Sequence, residues 1–271
     1  MAFAPIIIPT LNRVTHLKRC IESLQKNLWV EKTPLIISVD YPTKSEHEEG
    51  YREVIKFLNS GIDGFRSVEI IYQKENHGAI ENGLFLLNYI RDRYEYYIFS
   101  EDDNEFSPYF IQYMNECLEK YKDNEQIVAI CSMSRLNDSY YAGNVYSTPL
   151  FLAYGYGAWF HKNDDLQKKI CNRTFYTETI YSVRTLLYMA DISSQILFSL
   201  QSIIYDKDDL FRRKDGSVPF IDVTISIYNI LEQTVCIYPS KSLSKNWGYD
   251  GSGANCKSIN RFALQQELSD H

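Results

Sequence analysis

The sequence lacks long apolar runs, an excess of basic residues, and much glycine or proline. No run approaches the roughly 18 apolar residues that a membrane-spanning helix requires, so we expect no such helix. With 12 Gly and 8 Pro among 271 residues, the chain is neither collagen-like nor of low complexity. Lys and Arg number 28 against 35 Asp and Glu, and the net charge of −7 argues against a nucleic-acid partner, which requires a basic surface.

Cysteine pairs and two nucleotide-binding motifs are also missing. The six cysteines are scattered, with no CxxC pair and no His–Cys cluster, which is typical of reduced thiols in the cytoplasm and argues against a zinc site. The opening MAFAPIIIPT has no basic leader, so we expect no signal peptide. Neither GxGxxG nor a P-loop motif occurs, which removes the main support for a dinucleotide oxidoreductase or a P-loop enzyme.

The composition is otherwise that of a globular protein, 45% apolar and 23% charged, with 22 Tyr and 14 Phe. Its first half alternates β-rich runs with helical patterns, which predicts an α/β fold with a mostly parallel sheet flanked by helices. The predicted strands of this half are 4–8, 35–39, 67–72 and 96–100, and we interpret 43–50 as a loop. Ligands bind at the carboxyl edge of such sheets, where the polar turns gather.

The second half is less regular. It contains predicted strands at 127–131 and 235–238 and predicted helices at 182–205 and from about residue 222, with GYGAWF interpreted as an apolar glycine turn. No linker separates independent domains. We therefore expect one domain with two halves, residues 1–104 and residues 105–271.

Three consecutive acids, Glu101, Asp102 and Asp103, follow the apolar run YYIF and Ser100. The three carboxylates repel one another, and a divalent cation would supply the missing positive charge; hard oxygen ligands suit Mn²⁺ or Mg²⁺. The alternative is that they cap the next helix or face water. We favour a metal site because the apolar strand delivers the acids to the edge of the sheet where ligands bind.

A second polar group follows the first two predicted strands. Thr10 and Arg13 lie in the segment PTLNR after strand one, and Asp40 ends strand two. A loop at this junction can hold a nucleotide, with Arg13 near phosphate or base and Asp40 accepting a hydrogen bond from base or ribose. The alternative for Arg13 and Asp40 is a solvated ion pair.

In their order and spacing, the segments PIIIPTLNR, IISVD, NHGAIENG and FSEDDNEFSPYF resemble the nucleotide-sugar half of GT-A glycosyltransferases. The resemblance is closest to the family of protein N-acetylglucosaminyltransferase I, and FIDVTISIYN, TVCIYP and SLSKNWGYDGSG continue it. One departure is that the family's paired acids before its late helix are here Ile221-Asp222. The resemblance implies a Rossmann-like GT-A fold and a bacterial soluble relative of that group. It also implies that residues 1–104 bind the donor, and that residues 105–271 bind the acceptor and carry the catalytic base and a flexible C-terminal lid.

The resemblance also implies roles for individual residues. It places Arg13 and Asp40 at uridine diphosphate, Asp103 on the metal, and Glu101 and Asp102 at the donor sugar and ribose. Asp222 matches the catalytic base, Ser252 a serine on a loop that closes over the diphosphate, and His77 a segment that lines the nucleotide pocket. The alternatives are a helix cap for Asp222, a surface turn for Ser252 and a structural role for a lone histidine.

The resulting hypothesis is a Mn²⁺- or Mg²⁺-dependent inverting glycosyltransferase that moves a sugar from a UDP-sugar to a glycan hydroxyl in bacterial capsule or other surface-polysaccharide synthesis. A lipid-linked acceptor would bring the enzyme to the inner face of the membrane without inserting it. One alternative is a sugar-nucleotide pyrophosphorylase, although the glycine-rich loop of that class is missing after strand one. Another is a catalytically degenerate glycosyltransferase domain that serves as a carbohydrate-binding scaffold.

Overall fold

The computed structural model describes residues 2–134, 144–170, 182–192, 221–252, 265 and 267–269. The strands within these ranges are β1 (Ile6–Thr10), β2 (Pro34–Val39), β3 (Ser67–Tyr72), β4 (Tyr96–Phe99), β5 (Asn104–Phe106), β6 (Ile127–Cys131), β7 (Val145–Thr148), β8 (Tyr156–Trp159), β9 (Val235–Pro239) and β10 (Ser244–Asn246). The helices are α1 (Val14–Gln25), α2 (Ser45–Asn59), α3 (Ala79–Ile90), α4 (Phe110–Lys120), α5 (Phe160–Ile170), α6 (Val183–Ile192) and α7 (Ile221–Glu232), with short 3-10 turns at Val30–Lys32 and Gly248–Asp250.

Eight strands form one sheet in the order β3-β2-β1-β4-β8-β6-β9-β7. The first four are parallel to one another, β8 is antiparallel to both of its neighbours, β6 and β9 are parallel, and β7 pairs antiparallel with β9 at the edge. Helices of the parallel half cover both faces of the sheet. The predicted fold class, a mostly parallel α/β sheet flanked by helices, is confirmed.

The run IIIPT shows why the parallel half forms. Successive side chains of a strand point to opposite faces of a sheet, and a parallel strand is buried on both. Ile6 and Ile8 pack into one apolar cluster with Leu17 of α1, whereas Ile7 packs into a second cluster with Leu86 of α3. All three isoleucines are fully buried, so the continuous apolar run reflects burial on both faces.

Two sequence interpretations are corrected. Residues 45–50 are not a loop, because α2 already begins at Ser45. Gly50 lies inside α2, where an added Cβ would be 2.2 Å from the carbonyl oxygen of Asn12, so this glycine permits a close backbone approach and does not mark a turn. GYGAWF is not a glycine turn either, because it forms β8 and the start of α5.

A small antiparallel ribbon, formed by β5 and β10, is absent from the sequence-based expectations. β5 begins directly after the three acids, and its register places Asn104 opposite Asn246. Three-residue strands carry too little periodicity to be found from sequence. The ribbon brings a late segment of the chain against the acids.

The described residues include four of the six cysteines and part of the helix predicted over 182–205. Cys20, Cys117, Cys131 and Cys236 are buried free thiols, as expected, whereas Cys171 and Cys256 lie outside the described residues. Of the helix predicted over 182–205, the structure describes α6, and residues 193–205 lie outside it. In the described part of the chain, no helix has the length and apolar character needed to cross a membrane.

Candidate active site

The topology brings the ends of several elements to one edge of the large sheet. Because β1 to β4 are parallel, the segments that follow them share this edge. β8 is antiparallel to β4, and Phe99 lies opposite Tyr156, so the residues before β8 reach the same edge. A short connection joins α7 to β9, which is parallel to β6, and this brings the first turn of α7 there as well. The candidate site lies at this edge.

Arg13 connects the segment after β1 to the acids after β4. Its Nη2 atom donates to Oδ1 of Asp102, and its Nη1 atom lies 2.9 Å from Oδ2 of Asp103. Asp102 is 3% exposed and Asp103 is 7% exposed. One guanidinium therefore neutralises parts of two buried carboxylates, and the solvated Arg13–Asp40 pair considered as an alternative does not form.

Charge and burial oppose each other in this cluster. Burial disfavours the charged guanidinium, but Asp102 and Asp103 outweigh that effect and raise the pKa of Arg13. Burial raises the pKa of Asp102, which Arg13 lowers and Asp103 raises again. The hydroxyl of Thr10 donates to Oδ2 of Asp102 over 2.7 Å and also favours the ionised form. Thr10 therefore orients one of the acids.

The other side of Asp103 contacts the segment that continues β10. Nδ2 of Asn246 donates to Oδ1 of Asp103 over 2.7 Å, and the backbone N–H of Trp247 donates to the Asp103 carbonyl over 2.8 Å. An added Cβ on Gly248 would lie 2.2 Å from Oδ2 of Asp103. Only a glycine permits this approach, so residues 246–248 form one wall of the acidic site.

Glu101 and Asp222 face each other electrostatically. Burial is the largest cause that raises the pKa of Glu101 to about 8; the carboxylates of Asp103, Asp222 and Asp102 also raise it, and Arg13 opposes them. Asp222 lies in the first turn of α7. The charge of Asp222 reaches the acids across the site, so a segment that is distant in sequence contributes to the same edge.

A pair of tyrosines joins the two sides of the site. The hydroxyl groups of Tyr154 and Tyr249 are 2.6 Å apart. Tyr154 precedes β8, and Tyr249 lies in the 3-10 turn Gly248–Asp250. Burial is the largest cause that raises the pKa of Tyr154, and Tyr249, Asp222 and Glu101 add to it, so the Tyr154 hydroxyl group stays protonated and available for hydrogen bonding at neutral pH.

Asp40 lies at the same edge but is fully engaged with the protein. Its Oδ1 accepts the backbone N–H groups of Tyr41 and His77, and its Oδ2 accepts the N–H of Gly78 and Nδ2 of Asn76, over 2.8 to 3.1 Å. A carboxylate offers about four acceptor positions. Asp40 therefore holds the loop before α3 in place, and His77 contributes its backbone here.

Ser252 is fixed to α1 through His16. Nε2 of His16 lies 3.0 Å from Oδ2 of Asp250 and 3.2 Å from the Ser252 hydroxyl, which donates to Oδ1 of Asp250 over 2.7 Å. A Ser-His-Asp triad requires the acid and the hydroxyl on different ring nitrogens. Here both contact Nε2, so the cluster is a structural clasp for residues 250–252.

We tested whether the acids fit a divalent cation. In the described ranges, no three His, Cys, Asp or Glu side chains converge on one point. Asp102 and Asp103 alone present two hard carboxylates, and Mg²⁺-type sites use one or two carboxylates together with substrate phosphates. The carboxylates of Asp102 and Asp103 therefore fit such a cation when a diphosphate supplies the remaining ligands. In the structure, these two buried carboxylates share the single guanidinium of Arg13.

The structure therefore brings together most of the residues singled out from the sequence. Thr10, Arg13, Asp102 and Asp103 are in direct contact, and Glu101 and Asp222 interact electrostatically. Asp40 and Ser252 lie in flanking loops. Sequence reasoning missed His16, Asn246, Gly248 and the Tyr154–Tyr249 pair; of these, only the glycine-rich segment NWGYDGSG gave a signal.

This combination of a doubly wound sheet and acids at the end of β4 defines the GT-A type of glycosyltransferase fold. The chain belongs to glycosyl transferase family 2, whose model matches residues 6–194. This membership confirms that the chain is a glycosyltransferase of the GT-A type. It does not confirm the narrower resemblance to protein N-acetylglucosaminyltransferase I. No curated protein matches the chain.

Solved structures with a similar fold include glycosyltransferases. TarS from S. aureus has a TM-score of 0.39 and 11% identity over 53% of this chain and 24% of that one. The mannosyltransferase PcManGT from Pyrobaculum calidifontis, in complex with GDP-Man and Mn²⁺, has a TM-score of 0.43 and 14% identity over 60% and 46%. S. aureus TarS 1–349 in complex with UDP-GlcNAc has a TM-score of 0.43 and 9% identity over 62% of this chain and 48% of that one. The chain thus spans a quarter to a half of these structures, and the likenesses are loose.

Proposed function

We propose that this chain is a metal-dependent, inverting glycosyltransferase that moves a sugar from a UDP-sugar to a hydroxyl group of a glycan acceptor. The observation that carries the proposal is the convergence of Arg13, Asp102 and Asp103 with Glu101 and Asp222 at the carboxyl edge of the sheet. A cation, two buried carboxylates and a carboxylate on the opposite side are what diphosphate departure and hydroxyl activation require.

The donor half of the reaction is assigned to residues 1–104. A Mn²⁺ or Mg²⁺ ion held by Asp103, with Asp102 beside it, would neutralise charge on the leaving diphosphate. Arg13 provides a planar fork that matches phosphate oxygens. The first turn of α1 has no side-chain cap, so its N–H groups favour a nearby anion as well. Thr10 keeps Asp102 in place.

The acceptor half is assigned to residues 105–271. Asp222 takes the proton of the acceptor hydroxyl, which attacks from the face of the sugar opposite the diphosphate and so inverts the anomeric carbon. Glu101, which interacts electrostatically with Asp222 and with Asp102 and Asp103, would contact the donor sugar. Tyr154 and Tyr249 offer flat faces and hydroxyl groups on the acceptor side.

The nucleotide would lie between α1 and the loop before α3. Asp40 shapes this pocket through the backbone of His77 and Gly78, and a direct bond from Asp40 to the uracil requires that one of its four donors be released. Ser252 and the backbone around it close over the diphosphate. The choice of uridine follows from the narrower resemblance to protein N-acetylglucosaminyltransferase I and forms part of the proposal.

We place the reaction in capsule or other surface-polysaccharide synthesis on the cytoplasmic side of the membrane. A glycan acceptor on a lipid would bring the protein to the membrane surface by binding alone. The chemistry can be tested without the natural acceptor, because water can take its place.

Release of UDP is measured for a panel of UDP-sugars with Mn²⁺ or with EDTA, and formation of UTP is measured in parallel after pyrophosphate is added. We expect UDP without UTP, loss of UDP release in EDTA, and a product whose anomeric configuration by NMR is opposite to that of the donor. Asp103→Ala should abolish release, whereas Asp165→Ala, at an exposed site on α5, should not. Formation of UTP and sugar 1-phosphate from a UDP-sugar and pyrophosphate would favour a pyrophosphorylase, and undiminished UDP release in EDTA would contradict metal dependence.

A further inference from the structure

We propose that Arg13 occupies the position of the cation while the site holds no nucleotide, and leaves it when metal and diphosphate bind. The guanidinium neutralises Asp102 and Asp103 in the resting protein, and the same guanidinium then moves to the diphosphate. This inference rests on the proposed function, and it concerns how the chain controls access to its own metal-binding acids.

The partners of the Asp102 and Asp103 carboxylates indicate which oxygens a metal ion would bind. Each carboxylate has one oxygen bound by a neutral group: Thr10 holds Oδ2 of Asp102, and Asn246 holds Oδ1 of Asp103. The other oxygen of each is bound by Arg13. The two oxygens that Arg13 holds are therefore the ones that a divalent cation would take.

The Arg13 guanidinium and a divalent cation cannot occupy these two oxygens at the same time. A divalent cation at Oδ1 of Asp102 or Oδ2 of Asp103 would meet the positive guanidinium at the same oxygens, where burial weakens screening by water. Gly248 covers Oδ2 of Asp103 from another side, so the cation cannot approach around Arg13 there. Metal binding thus requires that Arg13 withdraw.

The position of Arg13 makes withdrawal feasible. Its side chain keeps 20% of its surface exposed, whereas those of Asp102 and Asp103 keep 5% and 8%. Arg13 directly precedes α1, whose uncapped first turn also attracts anions. A diphosphate at this position would offer the guanidinium new acceptors when it leaves the acids.

The consequence is coupling between two ligands. Metal alone must displace Arg13 without compensation, whereas metal together with a diphosphate gives Arg13 a new partner. The wild-type protein should therefore bind Mn²⁺ weakly alone and more tightly with UDP, and by linkage Mn²⁺ should tighten UDP equally. Loss of the guanidinium should tighten binding of Mn²⁺ alone, which is opposite to the effect of removing a residue that merely supports the site.

The test is a titration with Mn²⁺ in the absence of nucleotide, followed by the EPR signal of the free aqueous ion. Arg13→Met should bind Mn²⁺ about tenfold or more tightly than the wild type, and Arg13→Lys, which keeps one charge but loses the fork, should lie between them. Arg52→Met makes the same change of net charge at an exposed position and should match the wild type. Mn²⁺ should also raise the melting temperature of Arg13→Met more than that of the wild type.

The inference is overturned if Arg13→Met and Arg13→Lys bind Mn²⁺ no more tightly than the wild type while both remain folded by circular dichroism. If Arg13→Met does not fold without metal, Arg13→Lys and the Mn²⁺ dependence of its melting temperature decide the question. Binding of Mn²⁺ to the wild type only with UDP, combined with no gain in the variants, would leave the proposed function standing. No binding of Mn²⁺ to any form, with or without UDP, would contradict both.

Discussion

The replacement of Asp222 by Asn is the sharpest test of how the site acts. Asn keeps the shape of the side chain but has no useful basicity at neutral pH. A general base contributes roughly 10²–10⁴-fold in rate, which corresponds to about 3–5 kcal/mol of barrier at 1.4 kcal/mol per factor of ten. We expect UDP release from the UDP-sugar to fall by this factor.

The structure indicates that stability should change little in this variant. The contact of the Ser226 hydroxyl with residue 222 is to its backbone carbonyl and survives the substitution. Loss of a negative charge in the first turn of α7 costs about 0.3–1 kcal/mol of helix stabilisation. Relief of repulsion with Glu101 acts in the opposite direction. The two effects largely cancel, so the melting temperature should shift by only a few degrees.

The assay combines UDP release with UDP affinity by calorimetry in the presence of Mn²⁺. The expected result is a collapse of UDP release with UDP affinity preserved within about twofold, because the proposed mechanism assigns Asp222 to the acceptor and not to the diphosphate. Asp191→Asn, at an exposed position on α6, serves as the matched control and should leave both unchanged. Release within a few-fold of the wild type in Asp222→Asn would refute the assignment of the base.

Three further predictions concern positions that take no direct part in the proposed metal binding or proton transfer. The buried ammonium of Lys162 donates to three backbone carbonyls at the edge of the sheet opposite the acids, so Lys162→Met should lower the free energy of unfolding by about 2–4 kcal/mol in a denaturant titration and leave UDP affinity unchanged. Gly248→Ala would place a methyl group 2.2 Å from Oδ2 of Asp103, and the resulting shift should cost about 1–3 kcal/mol of stability and weaken Mn²⁺-dependent UDP binding by calorimetry. Equal binding in Gly248→Ala would mean that residues 246–248 do not form a wall of the site. His16→Ala should speed hydrogen exchange of the Ser252 amide, and His16→Gln, which keeps an N–H donor, should largely restore protection; equal exchange in all three forms would contradict the clasp.

Much of the parallel half of the fold could be predicted from the sequence because local and tertiary preferences agree there. A run such as Ile6–Ile8 is buried on both faces and needs no partner information to be recognised as a strand. α1 shows one buried stripe with helical spacing. The acids at 101–103 were recognisable as a candidate site because three adjacent like charges after an apolar strand have no role in packing.

Other features depended on contacts between distant segments. Gly50 indicated a loop in sequence, and only the approach of α2 to Asn12 explains a glycine inside a helix. β5 and β10 are three residues each, and their pairing joins positions about 140 residues apart. Local sequence carries no trace of such a pairing, because each strand is too short to show periodicity.

The partners of the charged residues divide the site in the same way. By itself, the sequence determined which residue types follow the ends of the strands, since the positions of strands and turns along the chain follow from local patterns. Tertiary structure alone decided that Arg13 bridges Asp102 and Asp103, that Asp40 is saturated by the loop at 76–78, and that His16 holds Ser252. The physical reason is that a hydrogen bond or ion pair depends on separations of about 3 Å between side chains, and folding sets those separations through elements that are far apart in the chain.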